Sequence, residues 1–544
     1  MTTRHVPKAT IIGAGPAGAA MAAYLGRRGW EVCVFERRRD VRADAGDDGR
    51  RSINLGLSLR GLLTLRDLGV EARVLAGAVR ARGRVIHPPR GEPRFQPYGE
   101  TEDECLWSIS RRDLNAALVD RAGEHENVRF RFRHQFTALE KESGAATFLD
   151  LETGESVRVE ADFVVGADGA FSAVRERMQR GERADFVQEY LPWGYREMRL
   201  PGDGGKSRVY LEALHVWPRG DCVVVSHPNR DGSHTCTLFL PHEGETRSFA
   251  ALKSDEAVEA FFRDTFPDLA ALVPDLAEQW RRHPEASLVA TRTSLWHWKD
   301  RVVLVGDGCH AVYPFYGQGM NAALEDCRTL DRCLARFPGD RAAAFAAYQR
   351  VRKENTDALH TLVCRNFVEL RQTSGSPVFV WQKQVDFILH RLFPRHWLPP
   401  YTMVVHTTMP YAEALRRADR QARIRRRLGI DLLIWMALPF AALGRRGRRW
   451  LRPDRAAAGS AATPLPVPAA GRAAATTSAS TPSPVRVEAE TEGGFATAAA
   501  EFEPEVEVNA AFAESGAGDE GPHGPTMRSD ARWTEEKESD HAHL

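Results

Sequence analysis

The chain has little of what marks several large classes of protein. Its eight cysteines are scattered along 544 residues without a C-x-x-C pair, which argues against a disulfide framework or a zinc site. No H-E-x-x-H pattern occurs among the eighteen histidines, so we expect no metal. The formal net charge is only +1, which does not favour nucleic-acid binding and restricts any anion site to a local cluster.

Long apolar runs are also missing. The apolar segment 428–443 lies between two arginine clusters and is shorter than the ~20 residues that a bilayer-spanning helix needs. We interpret it either as a helix packed on the body of the protein or as an interfacial helix in peripheral contact with a membrane. The polar start, Met1–Lys8, predicts a cytoplasmic protein without a signal peptide. Residues 451–544 contain few large apolar residues and predict a disordered tail.

The length predicts two or three domains. Near the start, an apolar run at Ala9–Ile12, a helical stretch over Ala17–Arg28 and a second strand at Glu31–Glu36 predict one βαβ unit. Further along, Ser207–Leu211 and Asp221–Ser226 have β character and predict an inserted sheet.

The parallel-strand pattern returns at Arg301–Gly306, and a helix is predicted to start near Gly319. From about Arg341 to Arg427 the pattern is mostly helical. Prolines are expected to interrupt these helices at Pro377, Pro394, Pro399 and Pro400.

A glycine-rich turn carries the first chemical signal. Gly13, Gly15 and Gly18 form a G-x-G-x-x-G motif between a predicted strand and a predicted helix. Such a turn lets a pyrophosphate approach the backbone N–H groups at the helix N-terminus. Glu36 ends the next strand, where a carboxylate can accept hydrogen bonds from a ribose. The motif predicts dinucleotide binding without saying which dinucleotide binds.

Two later stretches, 163–175 and 306–314, resemble the second and third fingerprints of the class A flavin monooxygenases, the group that contains para-hydroxybenzoate hydroxylase. The resemblance implies FAD as cofactor, NADPH as reductant, and hydroxylation by O2 through a flavin C4a-hydroperoxide. It assigns Asp307 to the ribityl chain of FAD, and Asp168 with Gly169 to the pyrophosphate and the nicotinamide route. Cofactor contacts are further expected from Arg37, Arg111, Gly319, Met320 and Asn321.

Residues 51–61, 194–198, 215–218 and 314–321 closely resemble the kynurenine 3-monooxygenase family, and the similarity runs from about Val6 to Arg417. The resemblance implies hydroxylation of L-kynurenine, or a ring-substituted kynurenine, at C3. It implies that Arg84, Tyr98, Asn366 and Tyr401 bind the amino-acid group of the substrate. At the ring end it implies Phe239 with Leu238 from the inserted sheet, and Pro314, Phe315 and Gln318 as catalytic positions.

Several alternatives stay open. Tyr316 stands where the family has histidine or phenylalanine, and Leu370 where some relatives have methionine, so another aromatic amino acid from secondary metabolism is one alternative substrate. A flavin-dependent halogenase would need a W-x-W-x-I-P stretch, whereas Trp296-His-Trp298 continues differently. A non-catalytic flavin-binding protein is the other alternative. Neither a role in catabolism or NAD biosynthesis nor the oligomeric state follows from the sequence.

The expected fold class is α/β. An FAD-binding, Rossmann-like domain of the glutathione-reductase type is predicted over 1–80, 105–180 and 290–345. An inserted, antiparallel substrate-binding sheet is predicted over 81–104 and 181–289, and C-terminal helices over 346–450.

Overall fold

The computed structural model describes residues 5–43, 54–99, 104–372, 377–394 and 396–429. The tail 451–544 and nearly all of the segment 428–443 lie outside the described residues, so the interpretations of both remain predictions. The first three residues of the motif at 51–61 also lie outside them.

Strands and helices are interspersed in the first part of the chain. The strands are β1 (Lys8–Ile12), β2 (Glu31–Glu36), β3 (Asn54–Leu57), β4 (Val79–Ala81), β5 (Gly83–Ile86), β6 (Arg94–Pro97), β7 (Leu106–Ser110), β8 (Val128–Phe132), β9 (His134–Glu140), β10 (Ala145–Asp150), β11 (Ser156–Val159), β12 (Phe163–Gly166), β13 (Phe186–Leu200), β14 (Ala213–Pro218), β15 (Val223–Pro228), β16 (His234–Pro241), β17 (Ala286–Thr293), β18 (His297–Trp298) and β19 (Val302–Leu304). The helices are α1 (Pro16–Arg27), α2 (Leu59–Asp67), α3 (Glu71–Ala76), α4 (Arg111–Gly123), α5 (Ala173–Gln179), α6 (Asp255–Thr265), α7 (Pro267–Ala270), α8 (Leu276–Arg282), α9 (Asp307–His310), α10 (Gly319–Arg336), α11 (Arg341–Gln372), α12 (Pro377–Leu392), α13 (Pro400–Val405) and α14 (Tyr411–Arg427), with a 3-10 turn at Pro314–Tyr316.

A six-stranded sheet has the order β18-β19-β12-β1-β2-β8. All of its pairs are parallel except that of β18 with β19. Ala9–Ile12 of the central strand β1 are all buried, as expected for a parallel sheet that is covered on both faces. The predicted βαβ unit, β1-α1-β2, is therefore present at the centre of this sheet.

A seven-stranded sheet has the order β17-β13-β16-β15-β14-β5-β6. Its pairs are antiparallel except the parallel pair of β14 and β5. Because alternate residues of a strand face opposite sides, the sheet has two distinct faces. Val223 and Val225 pack with residues of α11, α13 and the 3-10 turn, and we call this side the cleft face. Val224 packs on the other side, in a core that includes residues of α6, α7 and α8.

The expected α/β fold class is confirmed by this arrangement of a largely parallel sheet, a mainly antiparallel sheet and C-terminal helices. Prolines interrupt the helices as predicted: α12 begins at Pro377, α13 begins at Pro400, and Pro394 follows the end of α12. Two three-stranded sheets, with the orders β11-β10-β9 and β3-β7-β4, were not expected from the sequence. The domain boundaries stay a prediction.

One predicted strand is absent. Ser207–Leu211 forms no strand, so that prediction was wrong. Gly204 and Gly205 have φ of +55° and +81° just before it and turn the chain back on itself. Both edges of the nearby strand β14 are already paired, with β15 and β5, so the segment has no strand edge to join there.

Candidate active site

The glycine turn lies between β1 and α1. A Cβ on Gly18 would lie 1.9 Å from the carbonyl oxygen of Gly13, so close packing requires glycine there. Gly13 itself has φ of +101°. A Cβ on Gly15, however, would meet nothing within 4 Å. Packing does not explain Gly15, whereas a phosphate approaching the uncapped N-terminus of α1 would.

Glu36 is held beside this turn. Its Oε2 accepts a hydrogen bond from the Ala14 N–H at 2.9 Å, and its Oε1 accepts one from the Arg38 N–H at 3.0 Å. Two lone-pair sites remain on a carboxylate bonded in this way, which is what ribose hydroxyl groups would need. Arg37 is exposed and follows directly.

Asp168 and Arg175 both belong to the second fingerprint, and Arg175 also contacts the third. The Asp168 carboxylate accepts bonds from the Ser172 hydroxyl at 2.5 Å and the Val174 N–H at 3.1 Å at the start of α5. Burial raises the pKa of Asp168, and these bonds partly offset the rise. Arg175 donates to the Gly308 carbonyl at 2.9 Å. Asp168 thus supports the start of α5, whose N-cap residue is Ser172, and its predicted cofactor contact stays a prediction.

Asp307 lies in a solvent-accessible recess at the end of the parallel sheet. The carboxylate is exposed to solvent. Surrounding protein nevertheless desolvates it enough to raise its pKa, and the charges of His310 and Arg111 partly offset this. Arg111, the first residue of α4, is exposed on the same side. A carboxylate in such a recess can accept hydrogen bonds from the hydroxyl groups of a polyol chain.

The start of α10 contains a buried amide nitrogen without a partner. Gln318 is fully buried, and its Oε1 accepts a bond from the Tyr411 hydroxyl at 3.0 Å. Its Nε2 has no hydrogen-bond partner among the described residues. Asn321 is bonded within the protein: its Oδ1 accepts a bond from the Ser58 N–H at 2.9 Å, and its Nδ2 donates to the carbonyls of Gly56 and Gly317, both at 2.8 Å. The first N–H groups of α10, from Gly319 and Met320, have no side-chain cap.

These features fit FAD. The open space at Gly15 suits a phosphate, the recess at Asp307 suits a polyol, and the free N–H groups at the start of α10 suit an anionic ring. The unpartnered Nε2 of Gln318 is a donor that a bound ligand would satisfy.

A buried ion network, not anticipated from the sequence, holds α10 in place. Glu325 binds Arg60 at 2.7 Å and Arg352 at 2.6 Å. Asp326 binds Arg352 at 2.7 Å and His310 at 2.5 Å. Burial would raise the pKa of Asp326, but His310 and Arg352 hold it below its usual value. The sequence did contain a signal for this network, namely the adjacent Glu325 and Asp326 within the apolar face of a helix.

Arg84, Tyr98 and Tyr401 come together at the edge of the cleft face. The Nε of Arg84 donates to Gln96 Oε1 at 2.9 Å, across the β5–β6 pair. The rings of Tyr98 and Tyr401 stack at 5.1 Å, and Tyr316 continues the stack at 5.9 Å from Tyr401. Burial raises the pKa of Tyr98 to about 12, while the Arg84 charge and a hydrogen bond to Tyr401 act in the opposite direction. The guanidinium of Arg84 therefore lies close to the phenol hydroxyl groups of Tyr98 and Tyr401.

Asn366 lies on α11 beside the 3-10 turn. Its Nδ2 donates to the Phe315 carbonyl at 2.8 Å, which fixes the 3-10 turn that begins at Pro314. The Phe315 ring stacks on Phe367 at 4.2 Å and lies 5.2 Å from Phe239. The structure thus brings three of the four predicted amino-acid contacts together and places Asn366 beside the aromatic end.

The structure corrects the predicted place of one residue and locates two others. Leu238 packs in the core behind the sheet, so its predicted place beside the substrate was wrong. The reason is the alternation of strand residues, because Phe239 faces the cleft and Leu238 must face away. Tyr316 stacks with the tyrosines at the polar end rather than with the phenylalanines. Leu370 is half-buried on α11.

The described residues contain no group of three or more potential metal ligands, and no helix there is long and apolar enough to cross a membrane.

Known proteins resemble this chain over most of its length. The FAD binding domain family matches residues 7–359. A kynurenine 3-monooxygenase of Salinispora tropica is 49% identical over 82% of this chain and 98% of its own length. The enzyme of that name from Myxococcus xanthus is 42% identical over 74% of this chain and 86% of its own.

Solved structures share the fold at low identity. A tetrameric form of 2-methyl-3-hydroxypyridine-5-carboxylic acid oxygenase aligns with a TM-score of 0.57 at 21% identity, over 69% of this chain and 94% of that one. PqsL, a probable FAD-dependent monooxygenase from Pseudomonas aeruginosa, aligns with a TM-score of 0.54 at 20% identity, over 68% of this chain and 97% of that one. With the glycine turn, the Asp307 recess and these relatives in view, we conclude that the chain belongs to the kynurenine 3-monooxygenase family of FAD-dependent aromatic monooxygenases.

Proposed function

We propose that this enzyme hydroxylates L-kynurenine, or a ring-substituted kynurenine, at C3 with NADPH and O2. In the overall reaction one oxygen atom enters the ring, the other leaves as water, and NADPH provides two electrons. FAD, held by the glycine turn, Glu36 and Asp307, supplies the activated oxygen when it is bound and reduced.

The observation that carries the proposal is the arrangement around Arg84. Its Nε is bonded to Gln96, so the other edge of the guanidinium can bind a carboxylate through parallel charge-assisted bonds. Tyr98 and Tyr401 lie beside it with buried hydroxyl groups. A substrate with a free carboxylate and further polar groups at one end fits this site, and L-kynurenine has both.

The aromatic end explains how the ring would be held. Phe239 and Phe315 form an apolar wall that belongs to a core shared by the sheet and the C-terminal helices. Asn366 fixes Phe315 through its backbone carbonyl. These residues would orient the ring and exclude water, so that the ring carbon beside the aryl amine meets the activated oxygen.

Product analysis tests the proposal. The FAD-loaded enzyme is incubated with NADPH, O2 and either L-kynurenine or its ring-methylated forms, and the products are identified by mass spectrometry. We expect one added oxygen atom per molecule, with NADPH consumption that depends on the substrate. NADPH oxidation without a hydroxylated product from any kynurenine would refute the proposed substrate. The place of Tyr316 at the polar end favours including other aromatic amino acids in the panel.

A further inference from the structure

The strand register identifies which side chains share the cleft face with Arg84. Arg84 of β5 pairs with Leu214 of β14. Val216, two residues after Leu214, pairs with Val225 of β15. His227, two residues after Val225, therefore faces the same side and lies next to Leu214. Two strand spacings, about 10 Å, separate the backbones of Arg84 and His227.

The sheet face that His227 shares is apolar on the neighbouring positions of β14 and β15. Leu214, Val223 and Phe239 are buried on the same face, and Val225 packs against them. Thr235, its partner on β16, and Thr237, the partner of Val225, are the polar side chains that the adjoining strand contributes to this face. A histidine in this position gains no apolar packing that a leucine would not provide, so it requires another explanation.

One imidazole nitrogen of His227 has no hydrogen-bond partner in the part of the chain that the structure describes. That nitrogen is the buried Nδ1. Burial lowers its pKa to about 4, so the ring is neutral near pH 7 and offers one donor and one acceptor. The residue is only half-buried, so part of the ring remains accessible.

Two other histidines of the sheet form a contrast. His215 bonds to His87 at 2.8 Å and to the Tyr210 carbonyl at 2.9 Å. His234 bonds to hydroxyl groups of Ser207 and Ser226. Both lie on the opposite face and are at most 1% exposed. Histidines in the interior of this sheet are thus satisfied by the protein, whereas the one that faces the cleft is not.

We propose that His227 binds a hydrogen-bonding substituent on the aromatic ring of the substrate, and thereby helps to determine which ring the enzyme accepts. The inference rests on the proposed function, because it takes the carboxylate to lie at Arg84 and the ring to extend over the sheet. The ring substituent is either the aryl amine that every kynurenine carries or an additional ring hydroxyl. A buried polar group without a partner is costly, so a ligand that satisfies it gains affinity.

Ligand titration of the FAD-loaded enzyme tests the assignment. Three ligands are compared through the change in flavin absorbance: L-kynurenine, its analogue without the ring amine, and 5-hydroxykynurenine. For His227→Leu we expect a roughly tenfold weaker Kd for the ligands whose substituent is bound, and an unchanged Kd for the analogue without an amine. A loss confined to 5-hydroxykynurenine identifies the hydroxyl as the bound group; a loss for both kynurenines identifies the amine.

Controls separate this role from a structural one. His227→Leu should unfold at an equal or higher temperature, since an apolar side chain replaces an unpartnered polar one, and His227→Gln should recover part of the affinity. His242→Leu is the matched control, because His242 lies at the end of the adjoining strand and pairs with Glu285. Equal Kd values for the wild type and His227→Leu with all three ligands would overturn the assignment of His227 and leave the proposed function standing. If the wild type binds none of them, the proposed function fails and the assignment with it.

Discussion

Arg84→Ala should specifically remove the affinity for the carboxylate of the substrate. Arg84 is half-buried, and its Nε is occupied by Gln96 at 2.9 Å, so the remaining guanidinium edge is available to a ligand. Hydrogen bonds to charged groups contribute about 1.5–3 kcal/mol each. The loss of a bidentate pair, partly replaced by water, should cost about 3 kcal/mol, which corresponds to a roughly 100-fold increase in Kd.

The assay is a titration of the FAD-loaded variant with L-kynurenine, together with KM and kcat from NADPH oxidation. KM should rise with Kd, while kcat at saturation should change little, because the interaction is present in both the ground state and the transition state. Arg84→Lys should lose an intermediate amount, since an ammonium lacks the planar fork.

Arg82→Ala is the matched control, because Arg82 lies two residues earlier and forms an exposed ion pair with Glu212 at 3.1 Å. It should change KM less than twofold. An analogue of kynurenine without the carboxylate should bind equally to the wild type and Arg84→Ala. If KM for kynurenine is the same in Arg84→Ala and the wild type, the assigned carboxylate site is wrong.

Three further outcomes are expected. Gly15→Ala should lower FAD content without lowering the unfolding temperature of the FAD-free protein, because the new Cβ meets only open space. Gly18→Ala should destabilise the fold by about 1–3 kcal/mol, because its Cβ would lie 1.9 Å from a backbone oxygen. If both variants had similar effects on denaturation, the different reasons given for the two glycines would be wrong. Asp326→Asn should destabilise the protein by about 3–5 kcal/mol in chemical denaturation, because it leaves Arg352 and His310 short of a buried counter-charge; an effect below 1 kcal/mol would mean that the network is dispensable. The pKa of Asp326 is lower in the folded state than in the unfolded state, where it is near 4. The stabilisation from this carboxylate is therefore present above the unfolded pKa and is lost as the pH falls through the folded pKa. The difference in stability between the wild type and Asp326→Asn should shrink only in acid, which unfolding measured from pH 7 to pH 3 would reveal.

Local patterns in the sequence predict much of the fold. The apolar run before Gly13 and the helix after it follow from short-range preferences, and so do the helix boundaries at Pro377 and Pro400. Ser207–Leu211 shows the limit of such patterns: its residue types are compatible with a strand, but a strand also needs a free edge to pair with. That edge is a property of the whole sheet.

The candidate site divides in the same way. Glycine positions, the Asp307 turn and the family of aromatic monooxygenases could be recognised in the sequence, because each depends on contiguous residues with a direct chemical reason. Only the tertiary structure shows that Glu325 and Asp326 join Arg60, Arg352 and His310, since these residues come from distant parts of the chain. It also separates Phe239 from Leu238 and puts His227 in the same row as Arg84, because the facing of a strand residue depends on pairing register. The sequence by itself determined the cofactor FAD and the class of enzyme; which side chains share the face of the sheet with Arg84 was decided by sheet register and helix packing.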